Sequence, residues 1–231
     1  NIYYTQGVGT YFAAINGNGG TYTFGDWQET YKQDDKSGFY DPNFLLPNGA
    51  SWNGNLHLNN PTPAEGMAEP QEVTEYDFDG QLRNDITPDA GMDEGNFTSV
   101  DVVGPEITYT KLSAQCGTGD RTFTANINDK TGIYTTGAKR PRVYYKKNAG
   151  AYFDRLGTLQ SGNLNDGTWS FTILAADMGG LANNDVVYYF IVAQDTSTQL
   201  NLFSKPAGAD GSETNVLTDF PNFPNSYFIS T

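Results

Sequence analysis

From Tyr76 to Phe97 the chain reads YDFDGQLRNDITPDAGMDEGNF. Asp77, Asp79, Arg83, Asp85, Asp89, Asp93 and Glu94 crowd around four turn-forming positions, Gly80, Pro88, Gly91 and Gly95. Glycine and proline at such density punctuate the backbone rather than extend it. The stretch therefore divides the chain into two halves of different character. Arg83 is the only Lys or Arg between Lys36 and Lys111, and it stands among six carboxylates. A guanidinium takes carboxylate oxygens in pairs. The expectation is a structural network of Asp77, Asp79, Arg83, Asp89 and Glu94 that ties the turns together. The other reading is a calcium site, because Asp77-x-Asp79-Gly80 has the alternating carboxylates and turn glycine that open a calcium loop. The later ligands of such a loop are missing, and we adopt the network.

The net charge of −14 is unevenly placed. Residues 1–103 hold 3 basic and 16 acidic side chains, a balance of −13, whereas residues 104–231 hold 10 and 11, a balance of −1. An acidic first half repels nucleic acid and anionic membranes and attracts divalent cations. No apolar run is long enough to span a membrane. The 26 glycines and an aromatic share of 14% suit β structure, where Tyr, Phe and Thr fill strands and Gly, Asn and Asp fill turns. Cys116 is the only cysteine, so no disulfide forms within the chain, and a Cys-rich zinc site is excluded. The reading for Cys116 is a small buried apolar residue. The chain opens on strand-like Ile2-Tyr3-Tyr4 without a Met, and the expectation is a part of a longer or processed protein.

The first half carries few regular signals. Thr23 can cap a helix, and Phe24, Trp27 and Tyr31 share one face of it, with Asp26 at the third position. Leu56-His57-Leu58, between asparagines, reads as a short strand. His57, the sole histidine, is expected as a surface strand residue. Gly17 to Gly20 reads as a turn and not as a phosphate cradle.

The Tyr76–Phe97 stretch resembles the closing motif, D-x-D-G-x-x-R followed by D-I-G-A-x-E, that ends right-handed parallel β-helices in secreted bacterial surface proteins. Asn1 to Tyr4, the Trp27 helix, Asp41-Pro42-Asn43-Phe44 and Leu56-His57-Leu58 follow the order of that family's last coils. Ala90 and Met92 depart from its pattern. The resemblance implies that residues 1–103 are the C-terminal coils of a β-helix. Coils need stacked neighbours to cover their apolar faces. The implied partners are upstream coils or a neighbouring subunit.

Val102 to Glu106 reads as a linker through Gly104-Pro105. Beyond it, Phe123, Ala125 and Ile127 alternate with polar residues, as do Trp169, Phe171 and Ile173. VVYYFIVA from Val186 is apolar on both faces, as in a central strand. Arg142 to Lys147 and Ala151 to Leu156 flank Asn148-Ala149-Gly150, a hairpin signal. About six strands with turns at intervals of about 8–12 residues imply a β-sandwich of immunoglobulin or fibronectin III type over residues 104–231. The blocks GPEITYTKL, CGTGDRTFTANINDKTGI, RVYYKKNAGAY, DVVYYFIVAQD and PNFPNSYFI resemble an immunoglobulin-like module of Bacteroidetes-type surface proteins. Such modules act as spacers, stalks or adhesive units. Asp195-Thr196-Ser197 matches an O-glycosylation acceptor of such bacteria, and reads equally as a strand-end turn. Lys139, Arg140, Arg142, Lys146 and Lys147 read as the polar face of an edge hairpin.

No G-x-S-x-G frame, P-loop or nucleophile–histidine pair is present. The expected whole is all-β, extracellular or on the outer cell surface, and non-enzymatic: an adhesin or stalk component that contacts surface glycans. The alternatives are the end of a carbohydrate-active β-helix enzyme, a lyase or hydrolase, and a subunit of an extracellular fibre. No cofactor is expected apart from the calcium alternative.

Overall fold

The computed structural model describes residues 2–3, 13–14, 21–22, 24–32, 37–47, 54–70 and 75–230. Thr23 and the Gly17 to Gly20 turn lie outside them. The protein is mostly β, with several antiparallel sheets and almost no helix. It divides into two compact units, Asn1–Val102 and Val103–Thr231.

The first unit contains β1 (Ile2–Tyr3), β2 (Ala13–Ala14), β3 (Thr21–Tyr22), α1 (Phe24–Tyr31), β4 (Gly38–Phe39), β5 (Phe44–Leu46) and β6 (Asn55–Leu58). β1 runs parallel to β4, while β2–β3 and β5–β6 are antiparallel. In α1 the i, i+4 spacing sets the Trp27 and Tyr31 rings 4.9 Å apart, and Phe24 lies 5.8 Å from Tyr3. Among the described residues there are no stacked coils, so the β-helix expected from the sequence is not visible as such. The physical reason is local. These strands are two to four residues long, and the Gly-, Pro- and Asp-rich segment from Asp77 to Gly95 is bonded through side-chain caps instead of ladders. One parallel bridge, Thr62 to Ser99, brackets that segment.

The second unit is built from β7 (Glu106–Thr108), β8 (Gln115–Cys116), β9 (Arg121–Asn128), β10 (Arg142–Lys147), β11 (Phe153–Leu156), β12 (Thr158–Gly162), β13 (Asp166–Ile173), β14 (Val186–Gln194), β15 (Leu202–Lys205), β16 (Asp210–Glu213), β17 (Val216–Asp219) and β18 (Asn225–Ser230). One sheet has the order β11-β10-β14-β18-β8, with β15 also on β14; the other is β12-β13-β9-β7. The alternation seen in the sequence decides their faces. Phe123, Ala125 and Ile127 from β9, Trp169, Phe171 and Ile173 from β13, Tyr145 from β10 and Tyr189 from β14 bury into one core shared by both sheets. From Val186 to Ala193 β14 is apolar on both faces because it is central. Its other face packs Phe190 flat on Tyr144, ring centroids 5.2 Å apart, beneath Leu217 and Ala209. The β10–β11 hairpin turns at Asn148, whose φ of +51° suits asparagine.

Cys116 is exposed, contrary to the expectation of a buried residue. It lies on the two-residue edge strand β8, whose pairing with β18 leaves the sulfur beside the Ser230 hydroxyl at 3.7 Å. The basic group of β10 and its approach is dispersed into separate contacts. Lys139 meets Glu213 at 3.2 Å, Arg142 pairs with Asp154, and Lys146 lies over the Tyr152 ring at 4.5 Å. Asp195 and Ser197 are both buried in a turn after β14, where the Asp195 carboxylate accepts bonds from Ser197 and Asn201. That segment is a strand-end turn.

Candidate functional site: the carboxylate-capped segment of the first unit

Between Asp77 and Gly95 the backbone makes few sheet bonds, so its N–H groups need other acceptors. Carboxylates supply them. One oxygen of Asp77 accepts from the N–H groups of Asp79 (2.9 Å) and Gln81 (2.7 Å), and the other from Glu94 N–H (3.0 Å). Gly80 completes this turn with φ at +80°, a left-handed conformation that glycine takes without strain. Asp89 accepts from Gly66 N–H at 2.8 Å and Gly95 N–H at 3.0 Å. Glu94 accepts from Asn84 N–H at 3.1 Å and Asp89 N–H at 3.0 Å.

Arg83 sits differently from its expected position. It donates to the main-chain carbonyls of Asp89 (3.1 Å) and Gly91 (2.6 Å), and its nearest carboxylate is Glu94 at 3.6 Å. The bidentate carboxylate pairing is replaced because the Asp77 and Asp89 oxygens are already taken by backbone donors. Asp77, Arg83, Asp89 and Glu94 thus form one network. Asp79 leaves it with its side chain.

The electrostatics follow from these partners. For Asp89, desolvation by burial outweighs the two backbone donors, and Glu65 and Glu94 add repulsion; its carboxyl is pushed up to about 6. For Asp77, desolvation pushes upward, but the backbone donors of Gln81, Glu94 and Asp79 and the Arg83 charge together hold it below the usual carboxylate range.

Asp79 turns to β6, where its Oδ2 lies 2.5 Å from His57 Nε2. That bond raises His57 above the ordinary histidine value, and the charges of Asp79, Asp93 and Asp77 add to it against a smaller desolvation. The other ring nitrogen, Nδ1, bonds Asn55 Oδ1. Asp93 is 5% exposed and accepts from the N–H of Leu58, the next residue, at 2.6 Å. The sequence signalled neither the meeting of His57 with Asp79 nor the approach of Asp93. These residues are far apart in the chain, and no local spacing joins them.

No family model and no curated protein matches this chain.

Proposed function

We propose that the chain is a non-enzymatic module of a secreted or surface-exposed bacterial protein, of adhesin or stalk type: the end of a right-handed parallel β-helix followed by an immunoglobulin-like sandwich. The carrying observation is an aromatic face on the sheet β11-β10-β14-β18. Tyr152 stacks on Phe220 at 4.7 Å, Lys146 bridges the rings of Tyr152 and Tyr188, and Phe228, 60% exposed, lies on the same face. Aromatic faces flanked by a cation stack on sugar rings and on other apolar surfaces. Each copy offers a small patch, so binding gains strength when many copies act together.

Two further observations support this reading. The carboxylates of Asp77, Asp89 and Glu94 are engaged as caps of backbone N–H groups, a structural use. Phe78 and Ile86, 74% and 79% exposed, give that segment an apolar outer surface suited to a neighbouring subunit or to further coils. The parallel β1–β4 pair, with Ile2 opposite Gly38, is the type of rung contact that coils make. A glycan array probed with monomeric and with bead-displayed chain tests the proposal, alongside a depolymerase assay on polyuronates. Binding by the displayed form without turnover is the expected result. Turnover favours the lyase or hydrolase alternative.

A further inference from the structure

Asn55 Oδ1 receives two contacts from His57, one from the backbone N–H at 3.0 Å and one from ring Nδ1. A backbone N–H only donates, so the Asn55 atom is the acceptor oxygen and not the amide nitrogen. An amide oxygen has no proton to give. Nδ1 must therefore carry the hydrogen, and the lone pair of a neutral His57 ring lies on Nε2. That lone pair faces the Asp79 carboxylate at 2.5 Å. Two acceptors at that separation repel unless a positive charge lies with them.

A third donor group is in place. Asp93, buried beside His57, completes a set in which one ligand atom from each of His57, Asp79 and Asp93 lies within 4.8 Å of the others. Asp93 is 5% exposed, and its contact with Leu58 N–H engages only one of its two oxygens. The second oxygen has no hydrogen-bond donor among the described residues. His57 and Asp79 are 41% and 40% exposed, so their side chains have room to adjust.

We propose that His57 Nε2, Asp79 and Asp93 form a binding site for a divalent transition ion of the zinc class, with water completing the coordination. One imidazole and two carboxylates are a nitrogen–oxygen donor set that suits such ions, at about 2.0–2.2 Å from each ligand. Calcium takes oxygen donors in larger number and has no use for the imidazole. Asn55 supplies the outer-shell bond that fixes a ligating histidine's tautomer and aims Nε2. The ion would join β6 to the turn at Asp79 and the loop at Asp93, each of which meets β6 through one hydrogen bond described above.

His57 is the only histidine in the chain, so its ring resonances identify themselves. Untagged chain, stripped with EDTA, is titrated with zinc chloride while the imidazole signals are followed by NMR and the heat of binding is measured. The expected result is a change in those signals that saturates at one equivalent, with at least tenfold weaker binding in His57→Gln and in Asp79→Asn. Calcium and magnesium chloride at the same concentrations leave the signals in place. An imidazole unmoved by stoichiometric zinc, its ring held by Asp79 alone as an ion pair, overturns the proposal. So does zinc binding of equal strength in His57→Gln.

Discussion

Arg83 reaches Asp89 through the main-chain carbonyl, at 3.1 Å, while the Asp89 carboxylate turns to the N–H groups of Gly66 and Gly95. The guanidinium therefore works as a donor to loop carbonyls, with Glu94 as a supporting charge. Arg83→Ala leaves the carbonyls of Asp89 and Gly91 without this donor and Glu94 without its cation. The expected cost to the first unit is about 2–3 kcal/mol, read by denaturant unfolding. An unchanged midpoint would refute the role.

Asp77 accepts three backbone N–H groups with its two oxygens. Asp77→Ala removes all three acceptors, and about 3 kcal/mol of stability is expected to go with them. Asp77→Asn retains the shape and one acceptor oxygen, so it is expected to lose less. Equal losses in the two variants would mean that the side chain acts by filling space.

Asp89 provides a pH test. Its folded value of about 6 exceeds the 3.8 of a free carboxyl. The folded state thus holds this proton more tightly, and Asp89 favours folding most below about pH 4. That contribution is lost as pH rises through about 6. The carboxyl carbon of Asp89 is expected to titrate near 6 by NMR. The stability difference between wild type and Asp89→Asn is expected to change across the same interval and to be flat above it. A midpoint near 4, or a flat difference throughout, would contradict the burial argument.

Two tyrosines of the second unit are expected to respond oppositely. Tyr144 donates its hydroxyl to the Thr214 carbonyl at 2.8 Å, and Tyr144→Phe is expected to cost about 1 kcal/mol. The Tyr227 hydroxyl is buried without a hydrogen-bond partner among the described residues, and burial pushes its pKa up to about 12. Tyr227→Phe is expected to be neutral or to raise the melting temperature. A clear loss of stability in Tyr227→Phe would show that this hydroxyl has a partner.

The contrast between the units explains what the sequence could reveal. β9 and β13 were legible because residues two apart share a face, so Phe123, Ala125, Ile127 and Trp169, Phe171, Ile173 announced their burial. The acidic segment was legible as a network, since Asp77, Arg83, Asp89 and Glu94 do converge, but its wiring was not. Backbone N–H groups do not appear in a sequence as competitors for carboxylates, and here they took the oxygens that Arg83 was expected to hold. The His57–Asp79 contact depends on where β6 lies against a turn, a tertiary fact. The exposure of Cys116 depends on β8 being a sheet edge, and its residue type argued the other way.

The adhesive reading rests on the aromatic face, and its most direct measurement is retention of chain-coated beads on a glycan surface, wild type against Phe228→Ala with Tyr188→Ala. Both side chains lie on the outer face of their strands, away from the core that Tyr189 and Tyr227 fill. The expected result is retention of wild-type beads and its loss in the double variant at an unchanged melting temperature. Equal retention of both, or turnover of a polysaccharide by the soluble chain that one carboxylate substitution abolishes, would contradict the account.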